Sequence, residues 1–309
     1  MRGGIAIGVD IGGSHITSGV VKLDKLHIIP GTTFSNKVDN KGSKESIFND
    51  WSKAINRTIS SISIMGNMNI GFAMPGAFQY KTGLAMFEGN DKYEKLFKVS
   101  IPVELPKYIN TATSPKFRFL NDATSFGVGA STMGSAKNYN KIIAVTLGTG
   151  FGSSFITDGV PQVNSEEVPK RGCLWDKPYK EGMGDDYFST RWCLKRYQEI
   201  SSIQVQGVKA IAEANDGYSK IVFEEFGANM AEFMIPFLLK YRPGLIVLGG
   251  NISKASRFFL PTLQNKISEA GLDVDFEISE LMEDAAIIGS AKLFDSQFWN
   301  LVKEDLPNL

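Results

Sequence analysis

Along this chain, apolar β-branched runs end again and again in glycine. Ile5-Ala6-Ile7-Gly8-Val9 leads to Gly12-Gly13, and Asn69 to Met74 leads to Pro75-Gly76. Lys141 to Leu147 leads to Gly148-Thr149-Gly150-Phe151-Gly152, and Leu245 to Leu248 leads to Gly249-Gly250. Gly127 and Gly129 form a further cluster. Glycines number 31 in 309 residues, above the usual share of about 7%. At a strand end, glycine lets the backbone turn sharply or approach a ligand closely. One such turn is ordinary. Several in one chain predict a ligand ringed by backbone amides.

Composition narrows what that ligand can be. The 33 Lys and Arg residues balance 33 Asp and Glu residues, which removes the general electrostatic case for nucleic acid or an anionic membrane. Any bound phosphate must therefore be held by local geometry. Two cysteines, Cys173 and Cys193, and two histidines make neither a disulfide framework nor a four-ligand zinc site. Residues 1–13 lack a signal-peptide pattern, and no apolar run approaches the roughly 20 residues that cross a bilayer. The expectation is a soluble cytoplasmic protein. At about 150 residues per domain it has two domains or one large split domain, enough to hold a core without cross-links.

Periodicity places the elements. Residues 5–9 and 16–21 read as a hairpin around the turn Asp10 to Ser14. Ser43 is a plausible N-cap for a helix with Ile47, Trp51, Ile55 and Ile59 on one face. Residues 69–74 form a strand, 81–108 read as loops, and 117–120 form a short strand ending at Asn121-Asp122. A small-residue helix follows, from Ala123 to Ala136. Residues 141–147 and 153–157 pair around the second glycine turn, and 161–184 read as a long functional loop. Val222 to Phe237 predicts a helix kinked near Pro236. Residues 245–248 form a buried strand, and 285–298 a final helix. Each half thus holds a glycine turn between two strands, which suggests a duplicated fold and a phosphate clamp.

Several constellations could carry chemistry. Asp10 beside Gly12-Gly13-Ser14 can hold Mg²⁺ while the turn binds phosphate oxygens; a tight hairpin with an exposed Asp fits equally well. The run Gly148 to Gly152 fails G-x-G-x-x-G, because residue 153 is Ser and the turn opens into a strand. No Walker A sequence occurs, so NAD enzymes and P-loop NTPases both lose ground. Asp122 can accept a proton from a hydroxyl that attacks phosphorus, although spacing alone favours a helix cap. Gly249-Gly250-Asn251 admits a flat ring such as adenine or a plain turn. For His15, His27 and the two cysteines the bland readings prevail.

Taken in order, Gly8-Val9-Asp10-Ile11-Gly12-Gly13-Ser14, Met74-Pro75-Gly76, Asn121-Asp122-Ala123, Leu147 to Gly152, Leu248-Gly249-Gly250-Asn251 and Ala285 to Ala291 resemble the ROK family of sugar kinases and sugar-responsive repressors. The resemblance implies an α/β fold of duplicated ribonuclease H-like (actin-like ATPase) domains, with mixed central sheets and an interdomain cleft. The domains would be 1–116 plus 296–309, and 117–295. It implies phosphorylation of a hexose or N-acetylhexosamine by Mg²⁺-ATP, in a cytoplasmic homodimer. Asp122 would be the general base, and Gly76, Asn90, Asn121, Glu167 and Asp185 would join it in binding sugar. Asp10 would act on Mg²⁺, directly or through water. Gly12, Gly13, Ser14, Gly148, Thr149 and Gly150 would cradle phosphates, and Gly249, Gly250 and Asn251 would lie near the nucleoside.

The chain departs from the family between 164 and 189. Glu167-Val168-Pro169-Lys170 keeps the Glu of the family's Glu-x-Gly-His pair but has Lys170 for the His. The zinc-binding cysteine run is absent, and Asp185 looks like the counterpart of a second sugar-binding Glu. Two other classes stay in play: a non-catalytic sugar-binding regulator and an actin- or Hsp70-like ATPase. With the first strand expected to begin by Ile5, no helix-turn-helix of the repressors' kind is expected ahead of it.

Overall fold

Strands β1 (Ile5–Ile11) and β2 (His15–Lys22) form the predicted hairpin, closed where Gly12 N–H donates to the His15 carbonyl at 2.9 Å. The computed structural model describes residues 4–62, 68–89, 92–279 and 281–306. Short strands β3 (His27–Ile28) and β4 (Phe34–Lys37) both pair with β2. Ser43 caps α1 (Lys44–Ser60), its hydroxyl accepting from Ser46 N–H at 3.2 Å. The apolar face of α1 buries Ile47, Phe48, Trp51 and Ile55. Strand β5 (Asn69–Met74) follows, then the hairpin of β6 (Phe78–Gln79) and β7 (Leu84–Ala85), and the one-turn helix α2 (Ile101–Glu104). Strand β8 (Lys116–Asn121) runs directly into α3 (Asp122–Ala130).

A second sheet begins with β9 (Lys141–Leu147) and β10 (Phe151–Thr157), with β11 (Val160–Pro161) on its edge. The predicted loop at 161–184 instead contains a small hairpin, β12 (Pro178–Tyr179) and β13 (Gly182–Met183), and its Val168, Leu174 and Tyr179 are buried in the apolar core. Helices α4 (Gly184–Tyr187), α5 (Thr190–Ser201), α6 (Val208–Ala214) and α7 (Gly217–Tyr241) come next. Pro236 sits inside α7 without ending it. Strand β14 (Leu245–Gly249), helix α8 (Ser256–Glu269) and strand β15 (Asp275–Ile278) complete the sheet. The chain then returns to the first body with α9 (Met282–Lys292) and α10 (Ser296–Val302). A single helix over 285–298 is thus corrected to two. Asp295 caps the second by accepting from Phe298 N–H at 2.8 Å.

The two sheets repeat one plan. The first runs β3-β2-β1-β5-β8 and the second β11-β10-β9-β14-β15. In each, an antiparallel hairpin is followed by two parallel additions. This is the duplicated ribonuclease H-like arrangement with mixed sheets. The chain divides into residues 1–133 with 283–309, and 134–282, which differs from the expected division at 116/117 and 295/296. The reason is pairing: β8 adds to β5 along its whole length, from Asn69 opposite Lys116 to Met74 opposite Asn121. Among the described residues no helix is long and apolar enough to cross a membrane.

Helix α3 has nine residues and stops short of the expected Ala136. Past Ala130, the Ser131 and Thr132 hydroxyls donate to the carbonyls of Val128 (2.8 Å) and Gly129 (2.7 Å), and Gly134 turns at φ +56. Four glycines expected near a ligand, or left unassigned, have another task. A methyl group on Gly8 would lie 2.0 Å from the Ile287 carbonyl oxygen, and one on Gly71 2.0 Å from that of Ser290. On Gly129 it would lie 1.8 Å from the Ala285 oxygen, and on Gly289 1.9 Å from that of Ser125. These glycines let α9 press against β1, β5 and α3, backbone to backbone.

Candidate active site

In the first unit, the predicted residues gather at the carboxyl ends of three adjacent parallel strands, where open α/β sheets bind ligands. Asp10 stands near the end of β1, Gly76 just beyond β5, and Asn121-Asp122 at the passage from β8 to α3. The cap of α3 is Asn121, whose Oδ1 accepts from Thr124 N–H at 3.1 Å. Asp122 is thereby relieved of the capping role that spacing alone favoured. Its Oδ1 accepts from Ala123 N–H (2.8 Å) and Asn121 Nδ2 (2.9 Å), which fixes the carboxyl group. Asn121 Nδ2 also donates to the Tyr80 hydroxyl at 3.1 Å, and that hydroxyl donates to the Met74 carbonyl at 3.1 Å. Gly76 lies beside the same hydroxyl. Tyr80 carries no sequence signal, because it lies between the strand at 69–74 and the loops at 81–108.

Electrostatics single out two carboxyl groups. Burial, then the negative charges of Asp122 and Glu283, push Asp10 up to about 8. Burial also raises Asp122, while the Ala123 amide, the Lys92 ammonium and Asn121 draw it partly back. Glu283, at the start of α9, accepts from Thr17 Oγ1 at 2.6 Å and pairs with His15 Nε2 at 3.4 Å. His15 Nδ1 in turn meets the Ser14 hydroxyl at 2.8 Å. Among the described residues, no group of three or more His, Cys, Asp or Glu side chains is placed to hold a metal ion alone. A hard cation would instead take Asp10 plus water or phosphate oxygens, the usual manner of Mg²⁺. The local excess of carboxyl groups suits such an ion. Burial raises both thiols, Cys193 to about 12, so neither is a ready nucleophile.

The Asp10 shift has a consequence for stability. Its folded pKa stands above the unfolded value, so the native state holds an extra proton between about pH 4 and 8. Stability from this group is present in full below pH 4 and drains away as pH rises to 8. Without divalent cation, Asp10→Asn is expected to be more stable than the wild type by an increment that grows across that window to ~1–3 kcal/mol. Thermal unfolding at pH 5, 6, 7 and 8 measures it. A difference that does not vary with pH would contradict the assignment.

The carbonyl oxygens of both glycine turns are bound from behind. In the first, Tyr93 Oη donates to Gly12 O at 2.6 Å, Asn40 Nδ2 donates to Gly13 O, and Val38 N–H donates to Ser14 O at 2.9 Å. In the second unit, Thr190 donates to Gly148 O through N–H (2.8 Å) and Oγ1 (2.9 Å), and Arg191 Nη1 donates to Thr149 O at 3.1 Å. Tying carbonyls back in this way leaves peptide N–H groups as the polar face a turn can offer an anion. Gly249, Gly250 and Asn251 stand beside the second turn, because β14 lies parallel to β9 with Gly249 opposite Thr146. Gly250 (φ +84) passes so close to Leu147 that a methyl group would come within 2.3 Å of its carbonyl oxygen.

Asp185 and Glu167 belong to the second unit. Asp185 braces the second turn: Oδ1 accepts from Phe151 N–H at 2.7 Å and Oδ2 pairs with Arg191 at 2.5 Å. Glu167 pairs with Lys141 Nζ at 2.6 Å. Lys141 opens β9, and the glycine turn follows its other end, about 20 Å away at 3.3 Å per residue. Glu167 is therefore not assembled with the second turn. Asn90 lies outside the described residues.

A model of the ROK family matches residues 6–166, slightly more than half of the 309-residue chain. The glucokinase of Thermotoga maritima is 24% identical, over 93% of this chain and 96% of that protein. The xylose repressor of Bacillus spizizenii is 22% identical, over 98% of this chain and 80% of the repressor. The crystal structure of a ROK family glucokinase from Streptomyces griseus, in complex with glucose and AMPPNP, superposes with a TM-score of 0.68 at 20% identity, covering 94% of this chain and 99% of that one.

Proposed function

Because this chain belongs to the ROK family, we propose that it is an ATP-dependent sugar kinase acting on a hydroxyl of a hexose or N-acetylhexosamine. The observation that carries the reading is the Asp122 carboxyl, fixed by Asn121 and Ala123 at the ends of β5 and β8 and raised by burial. A carboxylate so placed is a base for a hydroxyl, since its pKa moves toward the working pH. The kinase relative supports the same reaction class.

The sugar O–H gives its proton to Asp122 as its oxygen forms a bond to the γ-phosphorus. The bond from that phosphorus to the bridging oxygen breaks, and ADP leaves with the electron pair. Asn121, steadied by Tyr80, and the backbone at Gly76 orient the acceptor. We assign the turn at Gly12, Gly13 and Ser14 and the amides of Thr149 and Gly150 to phosphate oxygens, with Gly148 shaping the second turn. Gly249, Gly250 and Asn251 take the nucleoside. Asp185 and Arg191 keep the second turn rigid, and such preorganisation carries much of the rate in phosphoryl transfer. Mg²⁺ held at Asp10 would supply charge neutralisation for the phosphates. ATP and free sugar place the reaction in the cytoplasm, and the homodimer implied by the resemblance is part of the proposal.

The xylose repressor match favours a second reading, a regulator that binds sugar without turning it over. A coupled assay separates the two. Mg²⁺-ATP is supplied with glucose, mannose, fructose, allose, N-acetylglucosamine or N-acetylmannosamine in turn, and ADP release is followed. Sugar-dependent turnover with at least one is expected. Sugar binding by calorimetry without turnover would favour the regulator, and ADP release independent of any sugar would favour a conformational ATPase.

A further inference from the structure

The segment after β7 brings a lysine to the first glycine turn. A methyl group on Gly13 would sit 3.5 Å from Lys92 Cε and 3.6 Å from its Nζ, so the ammonium lies over the turn itself. Tyr93 keeps it there. This tyrosine is fully buried, packs edge-on against Trp51 at 5.4 Å, and takes the left-handed conformation (φ 55). Its hydroxyl donates to Gly12 O and its N–H to Asn40 O (2.9 Å), while Asn40 Nδ2 donates to Gly13 O. The backbone bearing Lys92 and the backbone of the turn are thus joined by three bonds.

The charge around the turn makes this lysine consequential. Asp10, Asp122 and Glu283 crowd the same region, and a neutral chain supplies no general positive field. A triphosphate end arriving there meets carboxyl groups unless a fixed cation offsets them. Lys92 is also within electrostatic reach of Asp122, so it faces the end of the nucleotide where transfer occurs. Lysine binds phosphate as a point charge with three rotatable donors.

We propose that Lys92 is a catalytic residue whose ammonium contacts the terminal phosphoryl group at the Gly12–Ser14 turn. It keeps its proton throughout and covers the non-bridging oxygens as the group passes from ADP to the sugar oxygen. This inference rests on the kinase reading. It goes beyond that reading by naming a cation that no sequence motif carries.

Calorimetry with AMPPNP and with AMP, each with Mg²⁺, tests it alongside steady-state kinetics on Lys92→Met and Lys92→Arg. Lys92→Met is expected to weaken AMPPNP binding about tenfold and to lower kcat about 10²-fold. AMP, which lacks the terminal phosphates, should bind within twofold of the wild type, and the sugar KM should stay within threefold. Lys92→Arg, which keeps the charge, should recover part of the AMPPNP affinity. Equal losses for AMPPNP and AMP would mean a merely structural role and overturn the proposal, as would unchanged AMPPNP binding or a rise in sugar KM alone. A wild type that turns over sugar beside an equally active Lys92→Met overturns the lysine assignment only. A wild type that phosphorylates no sugar overturns the kinase reading and this proposal with it.

Discussion

Asp122→Asn is expected to lower kcat about 10²–10⁴-fold, the usual worth of a positioned general base, with the sugar KM within threefold. The substitution is nearly isosteric. Its Oδ1 can still accept from Ala123 N–H and Asn121 Nδ2, as Asp122 Oδ1 does, so the backbone at the start of α3 has no reason to move. What disappears is the capacity to take a proton from the sugar. Asn121→Ala makes an instructive comparison, because it removes the helix cap and the bond to Tyr80. It should cost ~1 kcal/mol of stability and raise the sugar KM, whereas Asp122→Asn should leave thermal unfolding largely as it was. The wild-type profile carries a second signature. Burial holds the Asp122 carboxyl above the ordinary carboxylate range, so kcat/KM should begin to fall, as pH is lowered, at a higher pH than an exposed aspartate would give. Near-normal turnover by Asp122→Asn would remove the base assignment.

What could be read in advance was what local pattern encodes. Asn69–Met74 and Lys141–Leu147 emerge with the boundaries that alternation and the following glycines implied, and the repeated hairpin pointed correctly to a repeated sheet. Asp10, Gly76 and Asp122 could be grouped because each follows a strand, and parallel strands bring their ends together. The partners that fix the first turn left no such trace. Tyr93 reaches Gly12 across 81 positions and Asn40 reaches Gly13 across 27, and both come from segments without period. Glu167 is the complementary case: spacing along an irregular stretch does not reveal its pairing with Lys141, at the end of β9 away from the turn. Glycine itself was ambiguous. Gly12-Gly13 and Gly8 look alike in sequence, yet the first pair shapes a turn and the other yields space to Ile287.

That second use of glycine can be tested at Gly289. In a helix interior, exchanging glycine for alanine normally stabilises by roughly 0.5–1 kcal/mol. Here the sign should reverse, with a loss of about 3 kcal/mol or failure to accumulate as folded protein, the range of severe overpacking. The added methyl would meet the Ser125 carbonyl at 1.9 Å and the Gly129 nitrogen at 3.0 Å. Both are backbone atoms inside α3, so no rotamer change can relieve the clash, and α9 must move off. Gly217→Ala is the control, since nothing lies within 4 Å of its methyl and it should be neutral or stabilising in urea unfolding. Equal stability of the two variants would contradict the packing account. The contact also bears on chemistry. Helix α3 begins with Asp122 and α9 with Glu283 beside Met282, and both carboxyl groups act on Asp10. The distance between the helices, set by Gly129 and Gly289, therefore sets how closely those charges gather. Where a Gly289→Ala protein does fold, it should lose activity out of proportion to its lost stability, because spreading α3 from α9 alters the field at Asp10.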